Sequence, residues 1–174
     1  VQELEMMKKE YANKLDVRIG IEIGMQPHLG AFYKERINQY PYDFVIGSVH
    51  LVGGEDPYYK EWWDEYTDAQ MYQKAFDETS ANLNQIEDFD VLGHIDYIVR
   101  YGRRQAEAYS YERFCDVLTE ILKKLIASGK GIELNTAGWK YGLDFCHPHP
   151  DVLREYRELG GEIITIGSDA HKPE

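Results

Sequence analysis

The sequence predicts an α/β protein whose parallel strands alternate with helices. Five short segments, rich in β-branched residues, have the length of strands, and helical patterns separate them. Because βα units cross over with one handedness, the carboxyl ends of all the strands should lie on one face of the sheet. The predicted strands are 17–23, 43–50, 89–95, 131–135 and 162–168.

Helices are predicted between these strands. Small polar residues suited to N-caps, prolines suited to a first helical turn and glycines suited to a helix end mark three of them. The predicted helices are 2–14, 29–39, Thr67 or Asp68 to about Glu87, Ser110 to Gly129, and Pro148 or Pro150 to Gly160.

Composition excludes several classes of protein. The chain has 174 residues, the length of one domain, and its 19 basic and 31 acidic residues give a net charge of −12. This balance argues against binding to nucleic acid or to an anionic membrane, and the sequence lacks the apolar run of about 20 residues that spans a bilayer. Two cysteines make no disulfide framework and no secretory signal is visible, so we expect a cytoplasmic protein.

Residue types that bind metals end four of the five predicted strands. Imidazole and carboxylate groups together suit Zn, Mn or Fe(II). One such residue alone is more often a hydrogen-bonded structural residue, but their joint occurrence favours a metal or catalytic site. The residues are Glu22, His50, His94 followed by Asp96, and Asp169 followed by His171, while Asn135 ends the fourth strand.

The residues beneath these candidates are small. Side chains alternate between the two faces of a strand, so Glu22 shares a face with Gly20, and His50 shares one with Ser48. Small residues at these positions suit the crowded interior of a small barrel, with the candidate ligands at its mouth.

Arginines cluster after the third predicted strand. Arg100, Arg103 and Arg104 lie within five positions that contain no acid. Guanidinium groups suit phosphate oxygens, which favours an anionic substrate, although an ordinary solvated basic loop is the alternative. The segment 147–150 (His-Pro-His-Pro) imitates a His-x-His metal motif, but its prolines favour a rigid start to a helix.

Five motifs in this order resemble the PHP (polymerase and histidinol phosphatase) family, and most closely its histidinol-phosphatase branch. The resemblance implies one PHP domain over residues 1–174, forming most of a distorted seven-stranded, TIM-like barrel. It also implies up to three divalent ions, Zn, Mn or Fe, at the carboxyl ends of the strands. The motifs are GIEIG at 20–24, GSVH at 47–50, GHID at 93–96, ELNT at 133–136 and GSDAH at 167–171.

The resemblance also implies a role for each candidate residue. The reaction would be hydrolysis of L-histidinol phosphate to L-histidinol and phosphate in histidine biosynthesis. Asp169 or His171 would supply the proton for the leaving oxygen, and Arg100, Arg103 and Asn135 would face the substrate. The implied metal ligands are Glu22, bridging two ions, His50 and His94 on the second ion, Asp169 on the first, and His171 on the third.

The sequence also departs from the family pattern. Members begin with a His-x-His strand, but no histidine precedes Glu22, and members continue beyond the Ser-Asp-Ala-His motif. We therefore expect a partial domain that is inactive or weakly active in isolation, with open barrel edges that favour homo-oligomers. The alternatives are another PHP phosphoesterase, acting on a different small phosphate ester or a nucleotide, and a non-catalytic metal-binding domain.

Overall fold

Five parallel strands form one sheet, in which their order is the same as in the chain. The computed structural model describes residues 1–172, apart from the side chain of Trp62. Each strand pairs in parallel with the next one. The strands are β1 (Gly20–Gly24), β2 (Phe44–Ser48), β3 (Val91–Leu92), β4 (Gly131–Asn135) and β5 (Ile164–Gly167). The predicted α/β class is confirmed, and the sheet is that of an incomplete TIM-like barrel.

Helices follow each of the first four strands, and one further helix precedes β1. Short 3-10 turns occur at Pro27–Leu29, Lys60–Glu65, Tyr97–Tyr101 and Gln105–Ala108. No helix in the described part of the chain is long and apolar enough to cross a membrane. The helices are α1 (Gln2–Glu10), α2 (Gly30–Asn38), α3 (Asp68–Leu83), α4 (Tyr111–Ala127), α5 (Ala137–Lys140) and α6 (Pro150–Glu158).

Side-chain caps fix where the two longest helices begin. Thr67 accepts the amide hydrogen of Gln70, whose side chain returns to the Thr67 amide in a capping box that starts α3. Ser110 accepts a hydrogen bond from the amide of Arg113 at the start of α4. Both caps stand where the sequence predicts them.

Several element boundaries differ from the sequence prediction, and β3 and α1 are two of the clearest cases. Strand β3 has two residues instead of the predicted seven, because the chain turns after it into the 3-10 helix Tyr97–Tyr101. Helix α1 ends at Glu10 rather than at residue 14, and none of its residues is buried. Without tertiary packing, a short helix has little to extend it.

The core lies between the outer face of the sheet and α3, α4 and α6. Helix α4 packs against α3 on one side and α6 on the other, and it also contacts β4. Phe76 of α3 and Leu118 and Leu122 of α4 have no exposed surface. This packing holds the sheet from one side and leaves the carboxyl ends of the strands free for a site.

Candidate metal centre

Three side chains from consecutive strands converge at the carboxyl end of the sheet. Glu22 lies on β1, and His50 and His94 follow β2 and β3. The Oε1 atom of Glu22 is 3.2 Å from Nε2 of His50 and 3.3 Å from Nε2 of His94. The two imidazole nitrogens are 3.3 Å apart. Because the side chain of His94 is 7% exposed and that of His50 is 44% exposed, the cluster opens to solvent on one side.

The donor set of this cluster fits a divalent transition ion. One atom from each side chain lies within 4.8 Å of the others, and across residues 1–172 only these three residues form such a group. Hydrogen bonds from His50 and His94 hold the pKa of Glu22 well below its usual range, so its carboxylate is ionised. One carboxylate oxygen and two imidazole nitrogens are ligands typical of Zn, Mn or Fe(II).

Tyr97 packs against the cluster and holds the main chain of His50. Its hydroxyl donates to the carbonyl oxygen of His50 at 2.7 Å. Its ring centroid lies 4.7 Å from that of His94. Burial raises the pKa of Tyr97 far above its usual range, so the hydroxyl remains a donor.

Asn135 is buried at the end of β4, next to a carboxylate to which the sequence analysis gave no role. Its Nδ2 donates to Oε2 of Glu133 at 3.1 Å, and its Oδ1 accepts from the amide of Ala137 at 2.9 Å. Glu133 was missed because it stands inside a strand, whereas the sequence was examined at strand ends. Its alternation with Asn135 could have placed it on the same interior face.

Arg100 lies beside Asp169 and is enclosed by aromatic rings. The guanidinium is within 5 Å of the rings of Tyr97, Tyr101 and Tyr141, at 4.9, 4.8 and 4.3 Å from their centroids. Its Nη1 lies 3.5 Å from Oδ2 of Asp169, and the Arg100 side chain is 12% exposed. The structure thus brings together two residues that are 69 positions apart in the sequence.

The remaining predicted site residues lie further outward. Arg103 is 58% exposed and pairs with Asp64 on the loop after β2. His171 is 81% exposed, with Nδ1 3.0 Å from the carbonyl oxygen of Asp169. Within the described ranges, Asp169 and His171 are not part of the three-residue group. Their roles as ligands or acids stay predictions.

A buried pair, Asp96 and His147, was not predicted from the sequence. Nδ1 of His147 lies 2.7 Å from Oδ1 of Asp96, and neither side chain has exposed surface. Oδ2 of Asp96 accepts from the hydroxyl of Tyr109 and the amide of His149. His149 also caps α6, as its place before Pro150 suggests. The pair connects the segments that follow β3 and β4, and its partners are too far apart in sequence to form a motif.

This fold and its cluster at the strand ends define a class of protein. The family model "PHP domain" matches residues 2–137, and the chain belongs to this family. A "Probable histidinol-phosphatase" of Clostridium acetobutylicum is 33% identical over 98% of this chain and 68% of the relative. The "Histidinol-phosphatase" of Lactococcus lactis is 28% identical over 98% of this chain and 63% of the relative.

A solved structure shares the fold of nearly the whole chain. It is the crystal structure of histidinol phosphate phosphatase from Lactococcus lactis, complexed with Zn, L-histidinol and phosphate. The TM-score is 0.87 at 27% identity, covering 99% of this chain and 66% of that protein. The chain thus spans about two thirds of the length of these relatives.

Proposed function

We propose that this protein is a metal-dependent phosphatase that hydrolyses L-histidinol phosphate to L-histidinol and phosphate. The observation that carries the proposal is the convergence of Glu22, His50 and His94 at the strand ends. Arg100 packs on the ring of Tyr97, which also contacts His94. The names of the relatives and the ligands of the Lactococcus lactis structure support this substrate. We further propose that residues 1–174 belong to one PHP phosphoesterase domain. The match of nearly the whole chain to one part of these relatives supports this.

The cluster would hold a divalent cation through three side chains. Glu22 would contribute a carboxylate oxygen, and His50 and His94 would contribute their Nε2 nitrogens. When bound, such an ion polarises a phosphoryl oxygen and makes hydroxide available near neutral pH. Tyr97 would keep His50 and His94 in place through its hydrogen bond and its ring contact.

Arg100 would bind the phosphoryl group of the substrate. Its guanidinium is always charged, and stacking on three tyrosine rings limits its freedom before substrate arrives. Two parallel N–H donors match two phosphoryl oxygens and would stabilise the negative charge there as the ester bond breaks.

Four further residues complete the proposed site. Asp169, adjacent to Arg100, and His171 are the proposed proton donors to the leaving oxygen and additional metal ligands. Arg103, once released from Asp64, is the proposed outer contact of the substrate. Asn135, which is buried at the end of β4, is a proposed inner contact.

Phosphate release from L-histidinol phosphate tests the proposal. The purified protein is freed of metal with a chelator, reloaded with Zn or Mn and compared with Glu22→Gln at equal concentration. We expect metal-dependent release that Glu22→Gln loses, at a rate below that of the Lactococcus lactis enzyme. We expect the lower rate because the family resemblance implies a His-x-His pair of ligands, and no histidine precedes Glu22.

A panel of phosphate esters distinguishes the alternatives. Faster release from a nucleotide or another small ester would replace L-histidinol phosphate as the substrate. Metal binding with no release from any ester, beyond that of Glu22→Gln, would contradict a catalytic function and favour a metal-binding domain.

A further inference from the structure

Glu133 is a buried carboxylate to which the proposed reaction gives no task. It lies on β4 with 6% of its surface exposed. Its Oε2 accepts two hydrogen bonds, from the amide of His94 at 3.0 Å and from Nδ2 of Asn135 at 3.1 Å. A carboxylate accepts without donating, and a buried one requires such donors.

Neighbouring strands leave room for this carboxylate. Gly167 pairs with Asn135 across β4 and β5, and a Cβ atom at Gly167 would collide with Oε1 of Glu133. At Gly93, a Cβ atom would lie 3.5 Å from Oε2 of Glu133 and would collide with Oγ of Ser48. Glycines on both sides therefore let Glu133 reach across the interior to the end of β3.

The hydrogen bond from the amide of His94 to Glu133 lies just beyond the end of β3. Strand β3 ends at Leu92, and the amide of Gly93 makes the last bond to β2, to the carbonyl oxygen of Gly47. The amide of His94 then bonds to the Glu133 side chain. The main chain that carries the His94 imidazole, whose Nε2 lies 3.3 Å from Glu22, is thus hydrogen-bonded to a side chain of β4.

We propose that Glu133 is a positioning residue of the metal centre, whose carboxylate oxygen holds the main chain of His94 so that its imidazole meets Glu22 and His50. The inference rests on the proposed function only through the metal centre and requires no particular substrate. Groups that orient metal ligands typically change metal affinity by 10–100-fold when they are removed.

Three substitutions at Glu133 distinguish the effect of the position of its oxygen from the effect of its charge. Glu133→Leu removes the acceptor at similar volume. Glu133→Asp keeps the charge but withdraws the oxygen by one methylene group, and Glu133→Gln keeps a carbonyl oxygen at the full length. Tyr156→Phe is the matched control, since it deletes a partly buried hydrogen bond to the carbonyl oxygen of Ile163, before the start of β5.

Metal affinity and the spectrum of the Co(II)-loaded protein are the measurements. Zn affinity is measured by competition with a chromophoric chelator, on variants shown by circular dichroism to be folded. We expect Glu133→Leu and Glu133→Asp to bind Zn about 10-fold or more weakly, with altered Co(II) absorption. Glu133→Gln and Tyr156→Phe should stay near the wild type in both measurements.

Two results would overturn the inference. One is unchanged affinity and spectrum in Glu133→Leu. The other is a Zn affinity that is retained in Glu133→Asp and lost in Glu133→Gln, which would assign the effect to the charge of Glu133 rather than to the position of its oxygen. If Glu133→Leu does not fold, the comparison of Glu133→Asp with Glu133→Gln decides between the two. Wild-type protein that binds metal but releases no phosphate would contradict the proposed function alone, whereas failure to bind metal would overturn both.

Discussion

His94 has the least exposed of the three converging side chains, and it contacts both of the others. Replacing it with alanine leaves one imidazole and one carboxylate. We expect His94→Ala to lower Zn affinity by more than about 100-fold, because loss of a direct ligand should exceed the 10–100-fold effect of a group that only orients one. Isothermal titration calorimetry with a competing chelator measures the Zn affinity of both proteins.

His149→Ala is the control for this prediction. His149 caps α6 and lies outside the three-residue group of the described chain. An equal loss of affinity in both variants would show that the effect of His94→Ala comes from disturbed folding.

Arg100 is the arginine whose surroundings best suit a fixed phosphate contact. Lysine keeps the charge but has neither the planar fork nor the stacking surface. We expect Arg100→Lys to raise KM for L-histidinol phosphate about 10-fold or more, in line with the loss of one charge-assisted hydrogen bond. Steady-state kinetics provides the measurement.

Arg104→Lys is the matched substitution, because Arg104 is 70% exposed and pairs with Glu107 nearby in sequence. Unchanged KM in Arg100→Lys, or an equal rise in Arg104→Lys, would remove Arg100 from the proposed site.

At the scale of single residues, position along a strand decided what could be predicted. Glu22, His50 and His94 could be found because each ends an apolar segment, where parallel strands place side chains on one face. The roles of Glu133 and of the Asp96–His147 pair could not be predicted, because they come from partners on other elements.

Among the elements, helix α4 supplies much of the core. Leu122 has no exposed surface. We expect Leu122→Ala to lower the free energy of unfolding by about 2–5 kcal/mol, through lost transfer free energy and the cavity left behind. Urea denaturation measures this change.

Lys123→Ala, next in the chain but exposed, is the control and should change stability by less than about 0.5 kcal/mol. A loss below about 1 kcal/mol in Leu122→Ala would contradict the assigned packing.

Asp43 connects α1 to the start of the sheet. Its Oδ2 accepts from Nζ of Lys8 at 2.6 Å and from the amide of Ile19 at 2.8 Å. These hydrogen bonds hold the pKa of Asp43 below its usual value. Because the folded pKa is the lower one, the carboxylate stabilises the fold above the unfolded pKa of about 3.9, and this contribution is lost as pH falls towards the folded pKa.

Asp43→Asn tests this pH dependence. We expect the variant to be less stable than the wild type at pH 7, with a smaller difference at pH 3, in urea denaturation at both pH values. A difference that stays constant between the two pH values would assign the effect to shape rather than to charge.

At the scale of elements, local signals predicted where helices begin better than they predicted the lengths of strands. Thr67 and Ser110 start α3 and α4 as predicted, since a cap depends on residues within one turn. The length of β3 could not be predicted, because the turn after Leu92 depends on contacts with β2 and β4.

For the whole molecule, β1 and β5 are the two edges of the sheet within residues 1–172. The outward side chains of Ile164 and Ile166 on β5 are 48% and 80% exposed. Unpaired edges and adjacent apolar surface favour pairing with another chain. We expect concentration-dependent self-association that Ile166→Lys reduces, as measured by sedimentation velocity. A wild-type monomer at every concentration would contradict this expectation.

At this scale the alternation of strands and helices was enough to predict a parallel sheet and the face on which its site lies. The seven-stranded barrel stays a prediction, since five strands are present in the described chain. The hydrogen bond from His94 to Glu133, and the space that Gly167 leaves for this carboxylate, arise only when β3, β4 and β5 are side by side.

A crystal structure of the protein with Zn and phosphate tests the central claim most directly. Anomalous scattering should place a Zn ion about 2.0–2.2 Å from Oε1 of Glu22 and from Nε2 of His50 and His94, with phosphate between the ion and Arg100. A protein saturated with Zn whose ion lies away from these three atoms would contradict the account.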